Sequence, residues 1–297
     1  MIFFSRIITS LFASFVVCTS FAQLSGVETC LSSDDTAQKV AHYWDEVRLD
    51  NADSTIERNF AEFISLFDNS DTVNIAIGFR NLIQKAAACG DSTCAFIAEL
   101  AEKYLYNVDA PTHSDKYFLI YARETPYFNS SRVSSERIKF LSEVASSNLP
   151  GSRGTDFFFT DIRQKKRNLF NSLKAAPLSI MIIYDPECSH CYSTINEIQN
   201  APEIISAVKE DVVQIILVYP EGDFDIWKSH LPDSSEKGYI YAFAEEWVDK
   251  NDKEYYYFRA TPTIYILDKS GVVVCKDASV SQVIDTIRNY TRLNPKN

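Results

Sequence analysis

Residues 186–191 read PECSHC and follow directly on the apolar run PLSIMIIYD. Two cysteines in this spacing, where a β-rich run gives way to a helical pattern, constrain both fold and chemistry. Cys188 falls in the first helical turn, where backbone N–H groups lack partners and the helix dipole favours negative charge. A thiol there loses its proton readily, so Cys188 is the candidate nucleophile. Cys191, one turn later, is placed to close a disulfide with Cys188 or to resolve a mixed one. His190 is a candidate tuning residue, because a nearby imidazolium stabilises a thiolate and makes the couple more oxidising. Two other uses of the pair stand beside this one: a structural disulfide, or a copper or zinc site completed by His190 or His230. A zinc site built on cysteine pairs needs a second pair. Cys89 and Cys94 are the only other close pair, and they lie elsewhere in the chain at the wrong spacing. No metal and no cofactor beyond the two thiols is assigned.

The compartment decides what cysteines can do. The chain opens MIFFSRIITSLFASFVVCTSFAQ, with Arg6, an apolar stretch to Val17, and small residues Ser20 and Ala22 where a signal peptidase reads. That layout predicts a secretory signal over residues 1–22. Its apolar core is shorter than the roughly 20 residues of a membrane span. The mature protein is expected in the periplasm, where disulfides persist. A net charge of −11 and the lack of a basic face argue against nucleic acid as a partner. The one basic cluster, RQKKR at 163–167, reads as a solvated turn.

The pattern of apolar residues changes near residue 150. Before it, AHYWDEVRL, ERNFAEFISLF, TVNIAIGFRNLIQKAAA, TCAFIAELAEKYLY and SERIKFLSEVA each carry a helical stripe. SDDT, DNSDT and GDST precede several of them as N-cap signals. NLPGSRG at 148–154 marks a boundary, giving a helical domain of unknown function over 23–150 and a second domain over 151–297. In the second, DFFFT, PLSIMIIY, a helix from Cys188, VVQIILVY, TPTIYILD, GVVVCK and a final helix alternate as an α/β sheet does. The tyrosine run at 255–258 reads as a half-buried strand or helix end.

The order strand, CSHC, helix, then TPT, strand, DKSG, strand and helix resembles the thioredoxin superfamily over about residues 151–295. Closer still, YDPECSHC, ATPTIYILD and the AEKYLYNVDAPTHSDKYFLIYARE stretch are similar to TlpA/ResA-type thioredoxin-like proteins exported by Bacteroidetes. In those proteins a helical domain often precedes the redox domain. The resemblance implies a thioredoxin-like α/β domain after an all-α domain, and a periplasmic thiol–disulfide oxidoreductase. It aligns Pro262 with the family's cis-proline and Thr261 with the residue whose backbone pairs with substrate. Two positions depart from the pattern. Glu187 stands where tryptophan commonly precedes the first cysteine, and Ile182 where many thioredoxins bury an aspartate as a proton relay.

The function expected is disulfide exchange with exported proteins bearing thiols or disulfides, with a membrane electron donor or acceptor as a possible further partner. The alternative is a non-catalytic thioredoxin-fold module that binds an envelope partner. Cys89 and Cys94 are a possible structural disulfide clipping two helices, and the pairing of Cys30 and Cys275 is left open by spacing.

Overall fold

The computed structural model describes residues 33–50, 53–125, 132–220, 222–234, 236–249, 251 and 253–294. The expected signal segment and Cys30 lie outside them. Among these residues, six α-helices come first: α1 (Ser33–His42), α2 (Asp53–Ser65), α3 (Thr72–Cys89), α4 (Asp91–Ala101), α5 (Asp115–Glu124) and α6 (Arg132–Ser146). Their apolar stripes meet around Phe63, whose ring makes edge contacts with Trp44, Phe67 and Phe79 at centroid distances of 5.4, 4.9 and 5.3 Å. Edge-to-face aromatic packing of this kind adds about 0.5–1.5 kcal/mol per pair beyond the area buried. The Asp71 carboxylate caps α3 by accepting from the Val73 and Asn74 N–H groups, as DNSDT predicts. AHYWDEVRL is not the helix its stripe suggests. Helix α1 ends at His42, and Trp44 and Leu49 reach the core from the turns that follow.

Among the described residues seven strands follow: β1 (Phe158–Asp161), β2 (Lys166–Asn168), β3 (Leu178–Ile183), β4 (Val213–Pro220), β5 (Tyr239–Ala244), β6 (Thr263–Asp268) and β7 (Val273–Cys275). They form one sheet in the order β2-β1-β5-β4-β3-β6-β7. The central β3 is parallel to β4 and antiparallel to β6, and all six of its side chains are buried. Its period of two splits them between two cores. Ile180 and Ile182 pack with Ile198, Ile204 and Ile287, from α8 (Ser189–Asn200), α9 (Pro202–Lys209) and α11 (Val280–Leu293), while the short helices α7 (Leu169–Ser172) and α10 (Phe224–Ser229) lie between strands. Met181 and Ile183 pack on the opposite face with Leu169, Trp247 and Tyr256. A strand buried on both faces reads as a continuous apolar run, which is what LSIMII is.

Three details differ from the sequence reading. Strand β5 is new: YIYAFA pairs with β4 along its length and carries β1 on its other edge. RQKKR divides between a turn, with Gln164 at φ 55°, and the exposed edge strand β2. The tyrosine run is neither strand nor helix end: Tyr256 is fully buried in a loop, with Tyr255 against Trp247. The NLPGSRG stretch, in turn, is pinned along β7. The Gly151 N–H donates to Val273 O at 2.8 Å, and Val273 N–H returns a bond to Ser152 O at 2.9 Å.

Candidate functional site

Strand β3 delivers the chain to the site. The Tyr184 N–H bonds Val218 O at 3.0 Å, and the Asp185 carbonyl accepts from the Cys188 N–H at 3.1 Å, closing a turn. The Asp185 carboxylate is used in the same turn, accepting from the Glu187 N–H at 2.8 Å. Cys188 is the N-cap of α8, and its sulfur accepts the Cys191 N–H at 3.3 Å. Cys188 is partly exposed while Cys191 is fully buried. Both are free thiols.

The two sulfurs differ electrostatically as a nucleophile and a resolving thiol should. The Cys188 thiol is held below its ordinary value, chiefly by hydrogen bonds from the Cys191 thiol and N–H, with the His190 N–H and Thr261 hydroxyl contributing. Burial, above all, pushes Cys191 up to about 12. His190 thus bears on Cys188 through its backbone N–H, while its ring is exposed. Maleimide or iodoacetamide at pH 6 is therefore expected to modify Cys188 well before Cys191, read by peptide mass mapping. Faster labelling of Cys191 would reverse the assignment.

Strand register explains how Thr261 and Pro262 arrive here. Ile183, the last residue of β3, pairs with Thr263, the first of β6. The residues just before β6 therefore face those just after β3. The Thr261–Pro262 bond is cis, and the Thr261 side chain favours the thiolate form of both cysteines. Ile182 is fully buried, so no acid occupies that position. The polar groups on the Cys191 sulfur are the Cys188 thiol, the Asp185 N–H and Thr261.

One cluster escaped the sequence. Arg259, two residues before Thr261, reaches across to the helical half. Its guanidinium lies 2.5 Å from Asp115 Oδ1 and 2.8 Å from His113 Nε2, donates to Tyr106 O at 3.1 Å, and stacks over the Tyr106 ring. The Tyr106 carbonyl is offered by a π-turn, Glu102–Tyr106, that closes α4. Lys276 adds bonds to Asp115 at 2.9 Å and to the Val144 and Ala145 carbonyls. Asp277 completes a group of two cations and two anions. Burial opposes ionisation of Asp115, but the hydrogen bond with His113, followed by the charges of Lys276 and Arg259, outweighs it and holds the carboxyl well below the carboxylate range. Asp277 is raised and Lys276 lowered, both by burial. His113, Asp115 and Asp277 converge within 4.8 Å, a spacing a metal could use, yet Arg259 and Lys276 already neutralise them. No local signal announces this cluster, because Arg259 and Asp115 are 144 residues apart.

The possible Cys89–Cys94 disulfide is not formed. Cys89 is exposed at the end of α3, whereas Cys94 packs against the helical core, where burial raises its thiol. The Cys275 sulfur lies 3.5 Å from the Thr286 hydroxyl. His230 spends Nδ1 on the Ile226 carbonyl at 2.8 Å.

Residues 34–148 match a family described as a domain of unknown function (DUF5106). No curated protein matches the chain. Among solved structures, a thioredoxin-like protein from Bacteroides caccae is 22% identical, with a TM-score of 0.77 over 93% of this chain and 100% of its own. The C-terminal domain of an uncharacterized protein from Bacteroides fragilis is 28% identical, with a TM-score of 0.44, and covers 48% of this chain and 98% of its own. A domain of a possible thiol-disulfide isomerase from Cytophaga hutchinsonii is 21% identical, with a TM-score of 0.41, 51% of this chain and 99% of its own. The likeness to the first spans both the helices and the sheet, and it shows the fold. The chain therefore has the fold of the thioredoxin-like proteins, with a helical N-terminal region that matches the DUF5106 family.

Proposed function

We propose that the protein is an exported thiol–disulfide oxidoreductase acting on protein substrates through Cys188 and Cys191. The observation that carries this reading is the contrast between the sulfurs: one partly exposed at a helix N-terminus with a lowered thiol, the other buried with a raised one, and Thr261 beside both.

The Cys188 thiolate attacks one sulfur of a substrate disulfide, forming a mixed disulfide and releasing the other substrate sulfur as a thiolate. Cys191 then attacks the Cys188 sulfur. The Cys188–Cys191 bond forms, the mixed bond breaks, and the second substrate sulfur leaves. The Cys191 proton passes to one departing thiolate, by way of Thr261 or water, since among the described residues no carboxylate contacts the buried sulfur, and the other thiolate takes its proton from solvent. Two electrons move from protein to substrate, and the reverse sequence oxidises a substrate dithiol. Turnover requires a dithiol donor or a disulfide acceptor, the class of partner a membrane redox protein supplies. The test is catalysis of insulin disulfide reduction by dithiothreitol. A rate no higher than that of dithiothreitol alone would favour the non-catalytic module.

A further inference from the structure

The loop that carries Thr261 to the redox pair is also one wall of a cleft. This cleft, of about 740 Å³, lies between the helical half and residues 259–260. Its floor is apolar, formed by Ala95, Ala98, Phe118, Ile138 and Leu141, and Ala260 stands at its edge. We propose that the cleft receives the substrate segment flanking the disulfide, as an extended apolar stretch. This rests on the exchange reading above and names what the site would select.

Three observations carry it. The first is continuity: Arg259 and Ala260 line the cleft and are followed at once by Thr261, which the pairing of Ile183 with Thr263 sets opposite the residues that lead to Cys188. An extended segment paired beside Thr261 covers about 7 Å in two residues, and so runs along Ala260 to the cleft mouth. The second is unpaired backbone. Among the described residues, the Ala260 and Thr261 N–H groups have no acceptor in the protein. An open edge of this kind is what strand addition uses, with main-chain bonds for affinity and adjoining pockets for specificity.

The third is charge. The cations at the rim are already engaged: Arg137 with Glu102, Lys103 with Glu57, and Arg259 with Asp115. Among the described residues, Glu99 and Asp109 line the cleft without an ion pair. The field left over is acidic, so an acidic segment is repelled and an apolar one fits the floor. The Arg259 cluster has a use in this arrangement. It fixes the helical wall to the loop beside the nucleophile, so the cleft and the sulfurs keep one geometry.

The experiment compares kcat/KM for two oxidised substrates. One is glutathione disulfide, and the other a peptide disulfide with an extended flank of leucine and serine. Ala95→Trp and Glu99→Trp, both on the accessible side of α4, fill the cleft from the helical wall. Each is expected to lower the peptide-to-glutathione ratio by about tenfold, or 1.4 kcal/mol, with thermal unfolding confirming a folded protein. An unchanged ratio in folded variants overturns the proposal. So does a concentration-dependent dimer that either variant abolishes, since a second copy would then be the occupant. A second measurement avoids the cleft residues. With Cys191→Ser trapped as a mixed disulfide with the peptide, hydrogen exchange is expected to slow in residues 95–109 as well as at 259–263. Protection confined to residues around Cys188 and Thr261 overturns the proposal. If the wild-type protein exchanges with neither substrate, the exchange reading falls and takes this one with it.

Discussion

Replacing Cys188 with serine is expected to abolish disulfide exchange, while replacing Cys191 with serine leaves the protein caught in mixed disulfides through Cys188. The asymmetry follows from the two environments. The Cys188 sulfur sits at the N-cap of α8, accepts the Cys191 N–H and reaches solvent, whereas Cys191 is fully buried. A hydroxyl there is not ionised near neutrality, so a loss on the order of a thousandfold or more is expected in Cys188→Ser. Cys191, buried and with its thiol pushed up to about 12, does not begin the attack but ends it. Without it the mixed disulfide has no internal thiol to release it. The wild-type rate should rise with pH through a midpoint below that of an ordinary thiol, because the Cys188 thiolate is stabilised. Insulin reduction and non-reducing gels read both outcomes. Activity retained in Cys188→Ser would move the chemistry to Cys89, Cys94 or Cys275, which are also free thiols.

Asp115→Ala should be among the most destabilising single changes in the chain. It leaves Arg259 and Lys276, with side chains 7% and 3% exposed, sharing only Asp277. Removing one partner from a buried ion cluster strands charge in a poorly solvated site and costs about 3–5 kcal/mol. For a chain of this size that is a fall in Tm of roughly 10 °C. Arg288→Ala is the control. Its pairs with Glu203 and Asp285 are at the surface, with Arg288 55% exposed, and such pairs contribute about 0–1 kcal/mol. The pH dependence has a definite sign for Asp115. Its carboxyl is lower in the folded state, so its contribution is present above the unfolded value of about 4 and fades as the medium is acidified below it. Equal melting temperatures for Asp115→Ala and wild type would mean that water reaches the cluster.

The parts of the site legible in the sequence are those with local signatures. PECSHC after LSIMII placed a thiol at a helix start, and ATPT before IYILD placed a proline at the mouth of a strand. Both motifs depend on neighbours in the chain, and the antiparallel pairing of β3 with β6 brings them together. Strand β5 was missed because its six residues follow Gly238 in a stretch without a clear partner signal, and only the edge of β4 gives them a place. The helix expected over AHYWDEVRL illustrates a limit of periodicity. Trp44 and Leu49 are core residues, as the stripe predicts, yet they enter the core from turns. The Arg259 cluster was beyond reach, since its members come from the loop before β6, the start of α5 and the end of β7. Cys89 and Cys94 show the reverse error. Close spacing suggested a bond, but one side chain faces solvent and the other the core.

The most direct test is the reduction potential of the Cys188–Cys191 couple, measured by equilibration in dithiol–disulfide buffers with peptide mapping of the two cysteines. Stabilisation of the Cys188 thiolate favours the reduced state, so the potential should lie above thioredoxin's value of about −270 mV. His190→Pro removes the backbone N–H that helps hold that thiolate, at a position early in α8 where proline is tolerated, and should lower the potential. A single two-electron transition at Cys188 and Cys191, above that value, is the result expected. Failure of the two sulfurs to form a bond under any buffer would contradict exchange chemistry and leave the non-catalytic module standing.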